Sequence, residues 1–190
     1  MGQSPRPRPR IAGLAGNASP TGCFKAGKLA DRGLFRGHAL QGIDAKGRVG
    51  IPAPLRATIE RNSAGQKLLL LGVNEADGCL TGADTNQSDA AFARIEREQE
   101  RALEHDRAPR FEASPLVTFG ITEEIPFDAS GRFILPSFFR DEAGLAEWAF
   151  FIGKGDHFEI WNPQRLLDGS GEAIVQRAVR SCFAQKGVTL

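Results

Sequence analysis

Apolar side chains along this chain alternate over short runs, then recur at helical spacing, and the same succession occurs twice. Val49 and Ile51 share one face of a short strand whose other face carries Arg48 and Gly50, the period of two of a half-buried strand. An earlier strand is predicted over residues 38–43. Pro52 ends the second one, and Pro54 suits the first turn of a short helix through Arg61, where its missing N–H is no loss. Residues 67–73 read as a buried strand, 74–78 as a turn and 79–82 as a short closing strand. The second succession predicts a strand over 116–125, a returning strand over 132–135, a helix over 137–143, and strands over 148–153 and 158–161. Between the two, residues 88–107 predict a helix with Ser88 as N-cap and Phe92, Ile95, Ala102 and Leu103 on one stripe. A final helix over 172–186 places Ile174, Val175, Ala178 and Phe183 on or near one face.

The join between the first two strands of each succession is nearly the same peptide. Asp44-Ala45-Lys46-Gly47-Arg48 is answered by Asp128-Ala129-Ser130-Gly131-Arg132, and the following Val-Gly-Ile-Pro by Phe-Ile-Leu-Pro. Both lead to an arginine, Arg56 and Arg140, at the same offset. Such self-similarity reads as a tandem repeat of one supersecondary unit. In each turn Asp at the first position can bond ahead to backbone N–H groups, and Gly takes the left-handed position that a bulged hairpin requires. The predicted fold is therefore α+β and β-rich, two copies of one unit with a linking helix and a C-terminal helix. The boundaries expected are 1–33 for an N-terminal extension, 34–85 and 111–168 for the repeats, 86–110 for the linking helix and 169–190 for the last helix.

Composition narrows the class. With 190 residues and 41% apolar content the chain can bury an ordinary core. No run approaches the ~20 apolar residues of a membrane span, and no apolar segment precedes a cleavage site of the secretory kind. Membrane insertion is therefore not expected. Cys23, Cys79 and Cys182 are odd in number and widely spaced, which fits a reducing cytoplasm rather than a disulfide framework. Residues 1–33 are rich in Pro, Gly, Arg and Ser, and are expected to be a disordered tail with a net charge of +5. Its Arg6-Pro7-Arg8-Pro9-Arg10 segment reads as a phosphate-contacting arm, as a solvated extension, or as the product of an upstream start codon wrongly chosen. Overall charge is only +1, so any nucleic-acid contact must come from a local patch.

Phe35-Arg36-Gly37, the two Asp-x-x-Gly-Arg peptides with their flanks, and Phe158-Glu159-Ile160-Trp161 together resemble the MraZ family over residues 34–183. That resemblance implies a tandem repeat of a swapped-hairpin β-barrel motif of the AbrB/SpoVT type. It also implies a DNA-binding transcriptional regulator of the division and cell-wall gene cluster. Such a protein would bind short direct repeats upstream of its own operon, associate with the nucleoid and assemble into a homo-oligomeric ring. Two departures stand out: Leu34 occupies the place of the family's initial Met with 33 residues ahead of it, and Ser130 stands where the first motif has Lys46.

The partner so implied is double-stranded DNA, with Arg48 first, then Lys46, and Arg36 and Arg132 in support. Asp44, Gly47, Asp128 and Gly131 would build the turns. An arginine fork can bond guanine O6 and N7 or bridge phosphate oxygens, and Lys46 offers a point charge. The bland alternative for Arg48 and Arg132 is an ion pair with the Asp of the same turn. Residues 32–61 carry a net charge of +4 and residues 123–142 a net of −3. The first repeat is therefore expected to make most of the DNA contacts, the second to complete the fold and mediate assembly. Phe138, Phe139, Trp148 and Trp161 are candidate interface residues, with burial in the core as the default reading for aromatics on strand faces. No catalytic residue, cofactor or metal is expected. The Asp pair lacks the Asp-Ser/Thr-Gly of aspartic proteases, and His38, His105 and His157 lack ligand spacing. The competing reading is an oligomeric interaction scaffold, or an antitoxin-like barrel with weak DNA affinity.

Overall fold

Strand pairing between the repeats, added to one hairpin within each, organises the chain. In the computed structural model, which describes residues 32–111, 114–170 and 172–188, the first repeat contains β1 (His38–Gly42), β2 (Arg48–Gly50), α1 (Ala53–Asn62), β3 (Leu68–Asn74) and β4 (Cys79–Ala83). Two helices follow, α2 (Asn86–Glu104) and α3 (Pro115–Gly120). The second repeat contains β5 (Glu123–Pro126), β6 (Arg132–Ile134), α4 (Ser137–Glu142), β7 (Trp148–Gly153) and β8 (Phe158–Trp161). The chain then makes α5 (Pro163–Arg165), a kinked turn at Leu166–Ser170, and α6 (Ala173–Lys186).

Six strands form one antiparallel sheet in the order β1-β7-β8-β4-β3-β5, and β2 and β6 form a separate two-stranded ribbon. Exchanging the repeats reverses the order without changing it. β1 does not lie on β2, its neighbour in sequence; it pairs with β7, as β5 pairs with β3, while β2 pairs with β6 and β4 with β8. The turn at residues 44–48 closes locally through the Asp44 N–H donating to the Arg48 carbonyl at 3.0 Å, and the flanking strands then diverge to the other repeat. The fold class is α+β and β-rich.

Two cores follow from strand alternation. Between the large sheet and the ribbon with α1 and α4 lie Val49, Leu55, Ile59, Leu69, Leu71, Phe133, Phe139, Phe151 and Phe158. Fully burying each such side chain contributes roughly 1.5–3 kcal/mol. Gly82 leaves room for the ring of Phe158, since a Cβ there would stand 2.4 Å from it. On the opposite face, α6 brings Val179 and Phe183 onto Leu40, Cys79, Phe150 and Trp161.

Several expectations are corrected. Residues 116–125 are not one strand, because Ser114 caps a helix by accepting from the Leu116 N–H and Pro115 starts it, leaving only β5 extended. α2 begins after Thr85 rather than Ser88, and its buried residues are Ala91 and Ala102; Phe92 and Leu103 are exposed. In α6 Val175, Ala178 and Phe183 pack as expected and Val179 joins them, but Ile174 is exposed. Of the four aromatics weighed between core and interface, Phe139 and Trp161 are core residues, while Phe138 is 47% exposed. Of the expected tail, residues 1–31 lie outside the described residues, but Arg32 and Gly33 belong to the folded unit. Arg32 pairs with the fully buried Asp84 at 2.7 Å, and Gly33 exchanges hydrogen bonds with the side chain of Asn62.

Candidate nucleic-acid interface

Each five-residue turn is built by its aspartate. Asp44 Oδ1 accepts from the backbone N–H groups of Lys46 at 2.8 Å and Arg48 at 2.9 Å, while the Gly47 N–H donates to the Asp44 carbonyl at 2.9 Å. Asp128 repeats this with Ser130 at 2.8 Å, Arg132 at 2.9 Å and Gly131 at 2.9 Å, and adds the Ser130 hydroxyl at 2.6 Å. Gly47 and Gly131 have φ of 74° and 82°, left-handed values that a side chain would strain. The remaining carboxylate oxygen takes the arginine: Arg48 Nε lies 2.6 Å from Asp44 Oδ2, and Arg132 Nε 3.3 Å from Asp128 Oδ2.

These bonds hold both carboxyls below the ordinary range. For Asp44 the largest cause is the Arg48 backbone N–H, and for Asp128 the Ser130 hydroxyl. Because the folded pKa is lowered, the turns' contribution to stability is complete above the unfolded value and is lost only as pH falls through the lowered one. Carboxyl chemical shifts of Asp44 and Asp128 are therefore expected to titrate with midpoints below that of an ordinary aspartate. A titration midpoint at or above the ordinary aspartate value would contradict the turn geometry.

The ribbon sets what the turns present. Its register pairs Arg48 with Ile134 and Gly50 with Arg132, so these four residues share one face, while Val49 and Phe133, each 2% exposed, share the other. Arg48 and Arg132 are diagonal neighbours, roughly 7–8 Å apart at the backbone, with side chains 48% and 61% exposed. Their Nε atoms face the turn carboxylates, and no other bond among the described residues engages their Nη atoms. Gln41, Gly42, Asp44, Arg48, Gly50, Ser130 and Arg132 line one shallow depression.

The other expected residues fall in different places. Lys46 is exposed at the tip of the first turn. Arg36 is exposed too, but it lies beyond the start of β1, against Gly153, roughly 25 Å of extended chain from Asp44. Two further arginines stand at the turns. Arg56 Nη1 donates to the Ala129 carbonyl at 3.2 Å, with its stem against Gly131. Arg140 donates to the carbonyls of Leu145 and Ala146 and borders a depression beside Asp44 and Ala45. Their equivalent offsets in the repeat were the signal available in the sequence. Charge counted by sequence window does not follow this placement, because Arg56 of the basic window sits on the second turn and Arg32 is spent on Asp84.

Among the described residues no three His, Cys, Asp or Glu side chains are grouped to hold a metal, and no helix is long and apolar enough to cross a membrane.

Residues 118–170 match the family model described as "MraZ protein, putative antitoxin-like". The chain is similar to the transcriptional regulator MraZ of Rhodospirillum rubrum, with 32% identity over 133 residues, 68% of this chain and 79% of the relative. Similarity to the transcriptional regulator MraZ of Coxiella burnetii is 32% over 128 residues, covering 67% and 79% of the two chains. For that of Rhizobium meliloti it is 30% over 152 residues, covering 80% and 98%. With paired Asp-x-x-Gly-Arg turns brought onto one ribbon and relatives matched over most of their length, the chain belongs to the MraZ family of transcriptional regulators, which are not enzymes.

Proposed function

We propose that this chain regulates transcription by binding double-stranded DNA through the exposed face of the β2/β6 ribbon. The observation that supports it is the register placing Arg48 and Arg132 on one exposed face, with no bond among the described residues engaging their Nη atoms. A two-stranded ribbon fits the major groove. Asp44 and Asp128 hold the guanidinium stems before DNA arrives, so less side-chain freedom is lost on binding. The free Nη atoms can then reach guanine O6 and N7 or bridge phosphates. Lys46 and Arg56 add phosphate contacts at the two turns, which position without reading sequence.

The sites are short direct repeats upstream of the chain's own operon, in the division and cell-wall gene cluster, read in the cytoplasm on the nucleoid. One ribbon spans few base pairs, so useful affinity comes from several copies on spaced repeats, joined as a closed ring. Exposed apolar side chains on α2 and α3 (Phe92, Leu103, Leu116 and Phe119), together with Phe138, support assembly.

Titration of the full chain against its own upstream region and against random DNA, at two salt concentrations, tests this. Preference for the upstream region is expected, and equal binding sinks the reading. Lys46→Ala is expected to lower the slope of log K against log salt by about 0.9 per subunit engaged, with little change in base preference. An unchanged slope removes Lys46 from the interface.

A further inference from the structure

The ribbon face is not symmetric. Gly50 and Ile134 occupy equivalent places in the two repeats, yet Gly50 stands across from Arg132 and Ile134 across from Arg48. Packing requires neither residue. Ile134 is 64% exposed, pointing away from the core that Val49 and Phe133 enter. A Cβ on Gly50 would meet only Arg132 Cγ, at 3.9 Å, and the backbone there is open to any L residue. One arginine thus stands beside a gap, and the other beside a shorter aliphatic knob.

We infer that Ile134 is a specificity-determining residue that contacts the 5-methyl group of a thymine next to the base pair contacted by Arg48. This rests on the DNA-binding reading above. In the major groove the thymine methyl is the apolar mark a base pair presents, and aliphatic side chains recognise it by contact. A branched side chain directly across the ladder from Arg48 has its Cβ about 4.5–5.5 Å from the arginine's. One base pair's reach of the guanidinium fork is therefore within its span. The gap at Gly50 lets the neighbouring base edge approach Arg132 without such a contact, so methyl recognition falls on the Arg48 side alone.

The test replaces each thymine of the upstream repeats in turn by deoxyuridine, which keeps the pairing edge and removes only the methyl group. Full-length wild-type chain and the Ile134→Ala and Ile134→Val variants are titrated against each DNA. Wild type is expected to bind about three- to fivefold more weakly when one particular thymine per repeat is replaced, the worth of one buried methyl. Ile134→Ala is expected to bind both DNAs alike, at the level of wild type on the replaced DNA, while Ile134→Val keeps the discrimination. Equal wild-type binding to every replaced DNA, with preference over random DNA intact, overturns the inference alone. Discrimination by Ile134→Ala as strong as by wild type also overturns it. Failure of wild type to prefer the upstream region over random DNA overturns both the inference and the reading beneath it.

Discussion

Arg32→Ala is expected to lower the unfolding free energy by about 3 kcal/mol, measured as a shifted urea midpoint at unchanged slope. Asp84 is fully buried at the end of β4, and Arg32 is its counterion, with side-chain exposure of 15% for the arginine and 0% for the aspartate. Asn62 Nδ2 also donates to Asp84 Oδ2 at 2.9 Å, and Arg32 Nη1 donates to Gln87 Oε1 at 3.0 Å, so the pair joins the ends of α1 and β4 to the start of α2. Removing the guanidinium leaves a carboxylate in the interior with only an amide for company. Arg32 Nε and Asp84 Oδ1 are without partners among the described residues, so the pair is imperfectly satisfied and its full replacement should cost little. Arg32→Ala with Asp84→Asn is accordingly expected to recover most of the loss. A single variant within 0.5 kcal/mol of wild type, an experimental margin set by ordinary surface substitutions, or a double variant less stable than the single one, would refute this account.

Replacing Arg48 and Arg132 together by alanine is expected to abolish preference for the upstream region. Each bidentate base contact is worth about 1–3 kcal/mol of discrimination, so the double change removes roughly 2–4 kcal/mol once coupling between neighbours is allowed for. Both single variants should lose affinity by similar factors, since the register places the two side chains on one face and Arg56 supplies charge at the second turn. Folding is expected to be unaffected, because the ion pairs lost are exposed ones worth about 0–1 kcal/mol. A double variant binding within twofold of wild type would remove the ribbon face from the interface. Loss confined to Arg48→Ala would restore the asymmetry that sequence windows had suggested.

The turns were legible because their chemistry is local. Aspartate, two intervening positions and glycine are all that the Oδ1 bonds and the left-handed residue need, and the observed bonds run over two to four residues. The helix α1, the strands β7 and β8 and the apolar faces of β2 and β6 were legible for the same reason, each being a matter of period and punctuation. Arg56 and Arg140 were visible as matched positions, but nothing local aims a side chain on α1 at a turn 73 residues away.

The sequence by itself determined that there are two copies of one unit, where each turns, and which faces of its strands are apolar. It could not decide that β1 and β2 part after the turn, because a strand edge will accept any partner whose apolar face lies on the same side. That choice belongs to the whole chain. Only when both repeats are present does β1 find β7, and β2 find β6, and only then do Arg48, Arg132 and Ile134 come to share a surface. Charge counted along the chain does not follow that surface, since antiparallel pairing across 84 residues (133 minus 49) puts the two turns at opposite ends of one ribbon, and Arg32 is taken up by the buried Asp84.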